Sequence, residues 1–186
     1  MLDLQQTSIP GCFLINSTRR SDDRGWFQKT YQKTDFTDAH LNTLWREEYF
    51  SLSGQNVVRG MHFQLPPHDH EKVVTCTAGA ITDVVLDLRE GSPMQGRSIA
   101  IELAAERAHS VYIPKGCAHG FVSRKPETIL FYKVATEYAP DYDRGIAWDS
   151  FGFDWEVKDP ILSPRDQTHP SLASFLTSSS PFQYSA

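Results

Sequence analysis

The residues best suited to chemistry are few and scattered along the chain. Pro114-Lys115-Gly116-Cys117-Ala118-His119-Gly120 has the form P-x-G-x-x-H, a tight turn that delivers His119 into the strand that follows. His68 and His70 form a His-x-His pair, and with His119 they offer a divalent metal three imidazoles, leaving an open coordination position for chemistry. His62 stands in Arg59-Gly60-Met61-His62-Phe63-Gln64, where it is suited to be either a general base or a hydrogen-bonded core histidine. Asp83 and Asp87, four apart on a strand, share a face; strand-end hydrogen bonding or an ion pair with Arg89 suits them better than the role of paired carboxylates. Cys117, two residues before His119, suggests a thiol nucleophile. Same-face neighbours on one strand rarely give the needed approach, however, and no orienting partner is apparent. Tyr132 and Tyr138 lie in an aromatic-rich stretch that by itself reads as packing.

Such groups need a scaffold, and the chain reads as mostly β. Segments rich in Val, Ile, Thr, Phe and Tyr, separated by Gly, Pro, Asn and Asp, predict strands over Gly25 to Tyr31, Glu47 to Ser53, Lys72 to Ala78 and Ala80 to Leu88. Further strands are predicted over Arg97 to Leu103, His109 to Ile113, Gly120 to Ser123 and Thr128 to Ala135. No long amphipathic helix separates them, which favours a sandwich or jelly-roll barrel over a parallel α/β sheet. Asp35 to Leu44 predicts one short helix, a second short helical stretch lies near Leu172, and Ser178-Ser179-Ser180-Pro181 reads as a surface tail beginning at about residue 177.

The 186 residues fit one domain, 1–186, able to close a core without staples. With 40% hydrophobic and 22% charged residues and a net charge of −5, the composition is that of a soluble protein with no overall attraction to nucleic acid. The run from Ile81 to Leu88 is broken by Asp83 and Asp87 and is far too short to span a membrane. The start, Met1-Leu2-Asp3-Leu4, lacks a basic-then-apolar leader, so a cytoplasmic location is expected. Cys12, Cys76 and Cys117 are odd in number and widely spaced, which suggests neither a disulfide framework nor a thiolate zinc cluster.

The P-x-G-x-x-H stretch resembles the second motif of cupin barrels. Three more blocks accompany it in order: Arg59-Gly60-Met61-His62-Phe63-Gln64, Asp83-Val84-Val85-Leu86-Asp87-Leu88-Arg89 with Ser92-Pro93, and Phe131-Tyr132-Lys133 with Tyr138-Ala139-Pro140. Together they resemble the dTDP-4-dehydrorhamnose 3,5-epimerase family from about Ile9 to Asp166. The resemblance implies an all-β, cupin-type jelly-roll subunit with short peripheral helices. It also implies a homodimer, no metal or organic cofactor, and a nucleotide-linked 4-keto-6-deoxy sugar as substrate in deoxysugar biosynthesis for surface polysaccharide.

That chemistry accounts for the residue types. A ketone at C4 acidifies the C–H bonds at C3 and C5, so inversion needs a base on one face, a donor to the enolate oxygen and an acid on the other face. By resemblance His62 is the base and Asp166 holds its other ring nitrogen. Lys72, aided by Arg59, stabilises the enolate, and Tyr132 returns the proton. Arg24 and Phe27 hold the nucleotide, and Gln64, His119 and Tyr138 line the substrate cavity. Two other classes stand beside this one. A metal-dependent cupin enzyme would use His68, His70 and His119, but where metal cupins place a Glu seven residues before a Gly, Gly79 counts back to Lys72, whose ammonium repels a cation. A non-catalytic sugar-binding barrel is the third. The family pattern also changes at Lys29, Glu47 and Tyr49. With all three in one nucleotide pocket, a cytidine- or guanosine-linked sugar is expected to be preferred over a thymidine-linked one.

Overall fold

The computed structural model describes residues 2–177 and 180–185. Thirteen strands carry the described residues. They are β1 (Asp3–Gln6), β2 (Phe13–Asn16), β3 (Arg19–Asp22), β4 (Gly25–Gln28), β5 (Glu47–Ser53), β6 (Val58–Gln64), β7 (Lys72–Ala78), β8 (Ala80–Asp87), β9 (Ser98–Ala104), β10 (His109–Ile113), β11 (Cys117–Ser123), β12 (Thr128–Val134) and β13 (Asp143–Gly145). Two short helices, α1 (Lys33–Asp38) and α2 (Leu172–Phe175), lie outside the sheets. A six-stranded sheet runs β1-β2-β10-β7-β12-β5 and a five-stranded sheet runs β13-β6-β11-β8-β9, all neighbours antiparallel, while β3 and β4 form a separate hairpin. This is the all-β sandwich expected from the strand pattern, and it agrees with the cupin-type jelly roll that the resemblance implies.

Period-two alternation explains how the two sheets meet. Val74 and Cys76 of β7, Val111 and Ile113 of β10, and Leu130 and Tyr132 of β12 point inward. They pack against Ile81 and Val85 of β8 and against Cys117 and Phe121 of β11. The residues between them on β8, Val84 and Leu86, are equally buried because the outer face of the five-stranded sheet is covered by Ile146, Trp155, Leu172 and Phe182. Burial on both faces is why β8 reads as a nearly continuous apolar run. On the outer face of the six-stranded sheet, Ile15, Val73 and Tyr112 are covered by Phe36 of α1.

Several boundaries differ from the sequence reading. The helix expected over Asp35 to Leu44 stops at Asp38 because Leu41 N–H bonds the Phe36 carbonyl and His40 N–H the Thr37 carbonyl, with His40 in the left-handed region at φ 56°. That is a Schellman ending, and Leu41 packs in the same cluster as Phe36. Strands β1, β2, β3 and β13 went unpredicted, being three or four residues long and, in β1 and β3, largely polar. Strand β6 was masked by Arg59 and Gly60.

The end of the chain is not a free surface tail. Ser178 and Ser179 lie outside the described residues, but Ser180 and Phe182 are 6% and 4% exposed. The Ser180 hydroxyl donates to the Leu88 carbonyl at 2.6 Å, Glu90 N–H to the Phe182 carbonyl, and Tyr184 N–H to the Glu90 carbonyl. Phe182 stands edge-on to Phe63 with ring centroids 5.7 Å apart. The segment closes the outer apolar face that β8 and β6 would otherwise present to water.

Candidate active site

Register across the five-stranded sheet sets the first two imidazoles. His119 of β11 lies opposite His62 of β6, and a bulge follows at once, so that Phe121 pairs with Arg59. The strands approach so closely there that only glycine fits. A Cβ on Gly60, whose φ is +127°, would lie 2.5 Å from Gly120 Cα. On its other side β6 pairs with β13, which puts Gly145 opposite His62.

His62 is oriented from a loop far along the chain. Its Nε2 lies 2.6 Å from Asp166 Oδ1, at the start of a short 3₁₀ turn over Asp166–Thr168. Asp166 is 3% exposed, and its Oδ2 accepts from Gly60 N–H at 3.5 Å while its own N–H donates to Ser163 Oγ. Burial opposes its charge, yet the hydrogen bond and charge of His62, with the Gly60 and Ser163 bonds, hold its pKa below 3.8. An ionised carboxylate against Nε2 fixes the imidazole proton there and leaves the Nδ1 lone pair free to take a proton. Asp166 has a second histidine neighbour, His169, which the sequence reading missed. Its Nε2 stands 3.5 Å from Oδ1, and burial first, then the His62 and Arg165 charges, lowers its pKa. Only the loop geometry shows it, since no motif marks that position.

The half-buried His62 ring faces a cavity of about 250 Å³ that also takes in Lys72, Tyr49, Glu47, Tyr138 and Arg165. Lys72, at the first position of β7, is 6% exposed. Burial lowers its pKa from 10.5 to about 8, a drop that nearby Asp83 and Asp143 partly oppose. Tyr132 is buried behind this cavity rather than in its wall. Its ring stacks on Tyr49 at 4.6 Å, its phenol lies 3.4 Å from the Ser51 hydroxyl, and burial drives its pKa far above 10, so it stays protonated. His119 is also interior, with Nε2 2.7 Å from Asp83 Oδ2 and its ring 6.2 Å from that of Tyr132. Asp83 Oδ1 has no hydrogen-bond partner among the described residues.

The other predicted positions divide. Arg59 is held at the end of β5 by Ser53 Oγ at 3.1 Å and the Leu52 carbonyl at 3.0 Å. Gln64 reaches the cavity, but its amide is taken up by the 136–139 turn. It donates to Thr136 Oγ1 and the Glu137 carbonyl and accepts from Ala139 N–H at 2.6 Å. Tyr138 is 60% exposed at the cavity mouth, with its N–H on Glu47 Oε2 and its hydroxyl 3.3 Å from Asp143 Oδ2. Arg24 and Phe27 sit on the exposed β3–β4 hairpin, Arg24 paired with Asp22, and they line depressions that share no residue with the His62 cavity.

Lys29 also belongs to that hairpin side, bonded to Gln32 Oε1. Lys29, Glu47 and Tyr49 therefore do not form one nucleotide pocket as expected. Glu47 is engaged by Tyr138 and Tyr49 by Tyr132, which removes the reason to read them as a base-selective set. The imidazoles that the alternative, metal-dependent reading would use do not gather either. His68 packs on Tyr142 at 4.5 Å, and His70 Nδ1 bonds Thr136 Oγ1 at 2.7 Å, its pKa pushed down to about 3 by burial and by Lys72 and Lys115. Asp83 and Asp87 are not a pair, since Asp87 takes Arg89 at 2.7 Å and Ser92 Oγ at 2.6 Å. The Cys117 thiol is raised well above 9 by burial, which leaves it inert.

The chain matches the family model described as dTDP-4-dehydrorhamnose 3,5-epimerase over residues 6–174. It is 37% identical to the dTDP-4-dehydrorhamnose 3,5-epimerase of Sinorhizobium fredii over 184 residues, 97% of this chain and 93% of that protein. Among solved structures it is similar to the dTDP-6-deoxy-D-glucose-3,5-epimerase of Legionella pneumophila in complex with dTDP-4-keto-L-rhamnose, with a TM-score of 0.92, 28% identity and all of both chains covered. It is also similar to a 3'-monoepimerase from Streptomyces bikiniensis in complex with dTDP-quinovose, with a TM-score of 0.87, 29% identity, and 92% of this chain and 88% of that one covered.

Burying Lys72 has a consequence for stability. The folded chain binds this proton less tightly than the unfolded chain, so the penalty is complete below pH 8 and fades as pH rises from 8 to 10.5. Lys72→Met is therefore expected to stabilise the fold by on the order of 3 kcal/mol at pH 7. Urea melts of both proteins at pH 7 and pH 10 check this. An advantage equal at both pH values, or none, would show that the ammonium is not penalised.

Proposed function

Because the chain belongs to the dTDP-4-dehydrorhamnose 3,5-epimerase family and is a deoxysugar epimerase, we propose that it inverts C3 and C5 of a thymidine-diphosphate-linked 4-keto-6-deoxy sugar with His62 as the base. The observation that carries this reading is the 2.6 Å contact of His62 Nε2 with a buried, ionised Asp166, which leaves Nδ1 toward a cavity shared with Lys72. His62 Nδ1 takes the proton from C3 or C5, and the imidazolium it becomes is stabilised by Asp166. Lys72, mostly protonated at neutral pH, offers its ammonium to the oxygen at C4 as negative charge develops there. Reprotonation from the opposite face is assigned to Tyr132, whose high pKa keeps its proton available. Tyr49 covers Tyr132 on the cavity side, so substrate entry has to displace the Tyr49 ring or relay the proton through its hydroxyl.

The thymidine assignment follows from the names of the relatives and from the engagement of Glu47 and Tyr49 within the protein. No helix among the described residues is long and apolar enough to cross a membrane, and we place the enzyme in the cytoplasm with its nucleotide-linked substrate. A homodimer is supported by edge strand β5, where Phe50 and Leu52 are 66% and 60% exposed and Phe50 meets Phe131 at 4.9 Å to form an apolar face. Arg24 and Phe27 lie outside the cavity of their own protomer, so a role for them in holding nucleotide requires that they reach the cavity of a second copy.

His62→Ala is expected to lower solvent-deuterium uptake at C3 and C5 by on the order of 10²–10⁴, and Asp166→Asn by less. Wild-type exchange by His62→Ala would refute the assignment. Tyr132→Phe should retain exchange and lose inverted product; if Tyr49→Phe behaves this way instead, the acid is Tyr49.

Comparison of kcat/KM for thymidine-, cytidine- and guanosine-linked 4-keto sugars should rank thymidine first. A clear preference for either of the others would return Glu47 and Tyr49 to a base-selecting role.

Sedimentation equilibrium is expected to find a dimer that Phe50→Glu dissociates. A wild-type monomer would refute the interface.

A further inference from the structure

Around Asp166 stands a second histidine that the proton-transfer scheme does not use. The His169 side chain is nine-tenths buried, and its Nε2 is within 3.5 Å of Asp166 Oδ1 yet makes no hydrogen bond among the described residues. The ring has its place because Gly145, opposite His62 on β13, lacks a side chain. A Cβ there would lie 2.4 Å from His169 Nε2. The rings of His62 and His169 meet edge to face with centroids 5.7 Å apart, and the Nε2 atoms of both approach the same carboxylate oxygen, at 2.6 Å and 3.5 Å. The ligand atoms of His62, Asp166 and His169 all lie within 4.8 Å of one another.

We propose that these three side chains form a capture site for a zinc-type divalent ion, and that an ion held there switches the epimerase off. Two imidazole nitrogens and one carboxylate oxygen form a donor set that suits zinc, whereas magnesium asks for oxygen alone. A tetrahedral ion bonded at about 2.0–2.1 Å spaces its ligands about 3.3 Å apart. The observed 2.6 Å and 3.5 Å separations bracket that value. The ion would reach the site from the cavity, where the His62 side chain is 32% exposed.

The switch follows from the tautomer and rests on His62 being the base. In the metal-free pair the imidazole proton sits on Nε2 against Asp166, and Nδ1 carries the lone pair. A bond from Nε2 to the ion uses the Nε2 electron pair, so the single proton of the neutral ring moves through solvent to Nδ1. The lone pair that abstracts the sugar proton is then gone, with no net gain or loss of protons and no redox change. Competing sites are weak. The Cys12, Cys76 and Cys117 thiols are buried, and His70 is already bonded to Thr136.

Calorimetric titration of chelator-treated enzyme with zinc chloride is expected to show one site, while magnesium chloride gives none. Deuterium exchange into the keto sugar should fall below about a tenth as the site fills, because the base contributes on the order of 10²–10⁴, and should return with EDTA. His169→Gln should weaken zinc binding by on the order of 10-fold to 100-fold or more, as loss of a metal-supporting group does. Should that variant fail to fold, ¹⁵N-imidazole spectra of the wild type provide the decision, with zinc shifting His62 and His169 but not His68, His70 or His119. Failure of zinc to bind, or binding undiminished in His169→Gln, or shifts at other histidines, would overturn the metal site alone. Zinc held by both imidazoles with exchange unchanged would overturn the switch, and with it the assignment of His62 as base.

Discussion

A carboxylate that is almost wholly removed from water must be met by donors, and around Asp166 that requirement organises the site. Its partners come from separate parts of the chain: the His62 ring and the Gly60 N–H of β6 meet the carboxylate, while the Asp166 backbone N–H donates to the Ser163 hydroxyl in the loop before it. Gly60 gives its N–H from a backbone conformation and a close approach to Gly120 that no other residue would accept. The same contact therefore ties the outer loop to the sheet, sets the ring tautomer and leaves one nitrogen facing the cavity. Its neighbour Gly145 makes room for His169 by the same absence of a side chain.

The barrel interior carries two more titratable groups, one of them, Lys72, at the expense of stability. Lys72 and Tyr132 point into the same space as Val74, Cys76 and Leu130, and burial shifts both pKa values toward the neutral form. For the phenol this preserves an acid. For the lysine it leaves an ammonium only modestly favoured at neutral pH, a group whose charge would be stabilised when an enolate forms beside it. Asp83 belongs to the same interior. It pairs with His119 through one oxygen and lends a negative charge that partly restores the basicity of Lys72.

The two outer faces of the sandwich are finished differently. The five-stranded sheet is sealed by the chain itself, through Trp155, Leu172 and Phe182. On the six-stranded sheet Phe36 of α1, with Tyr31, Leu41 and Trp45, covers Ile15, Val73 and Tyr112, whereas at the β5 edge Phe50 and Leu52 are exposed. A chain that buries Phe182 with several hydrogen bonds while leaving Phe50 open has an unequal need for partners on its two sides.

Much of this was legible in the residues. Runs of β-branched and aromatic residues bounded by turn residues placed six of the strands within a residue at both ends, because those side chains suit a pleated, half-buried surface whatever the tertiary context. The four motif blocks pointed to the family, and the resemblance, with the need of proton transfer beside a ketone for a base, an acid and an enolate donor, made His62, Lys72, Tyr132 and Asp166 the candidates. Tertiary structure alone decided the rest. The short strands β1, β3 and β13 exist because a neighbour offers hydrogen bonds, not because their own residues prefer extension. His169 meets Asp166 through a vacancy at Gly145, and Gln64 spends its amide on a turn 72 residues away. The His68, His70 and His119 set dispersed, and Lys29 parted from Glu47, for one reason. Sequence order and residue type bound what a group can do, but which groups share a cavity depends on register, bulges and loop docking, and these are set by contacts between residues far apart in the chain.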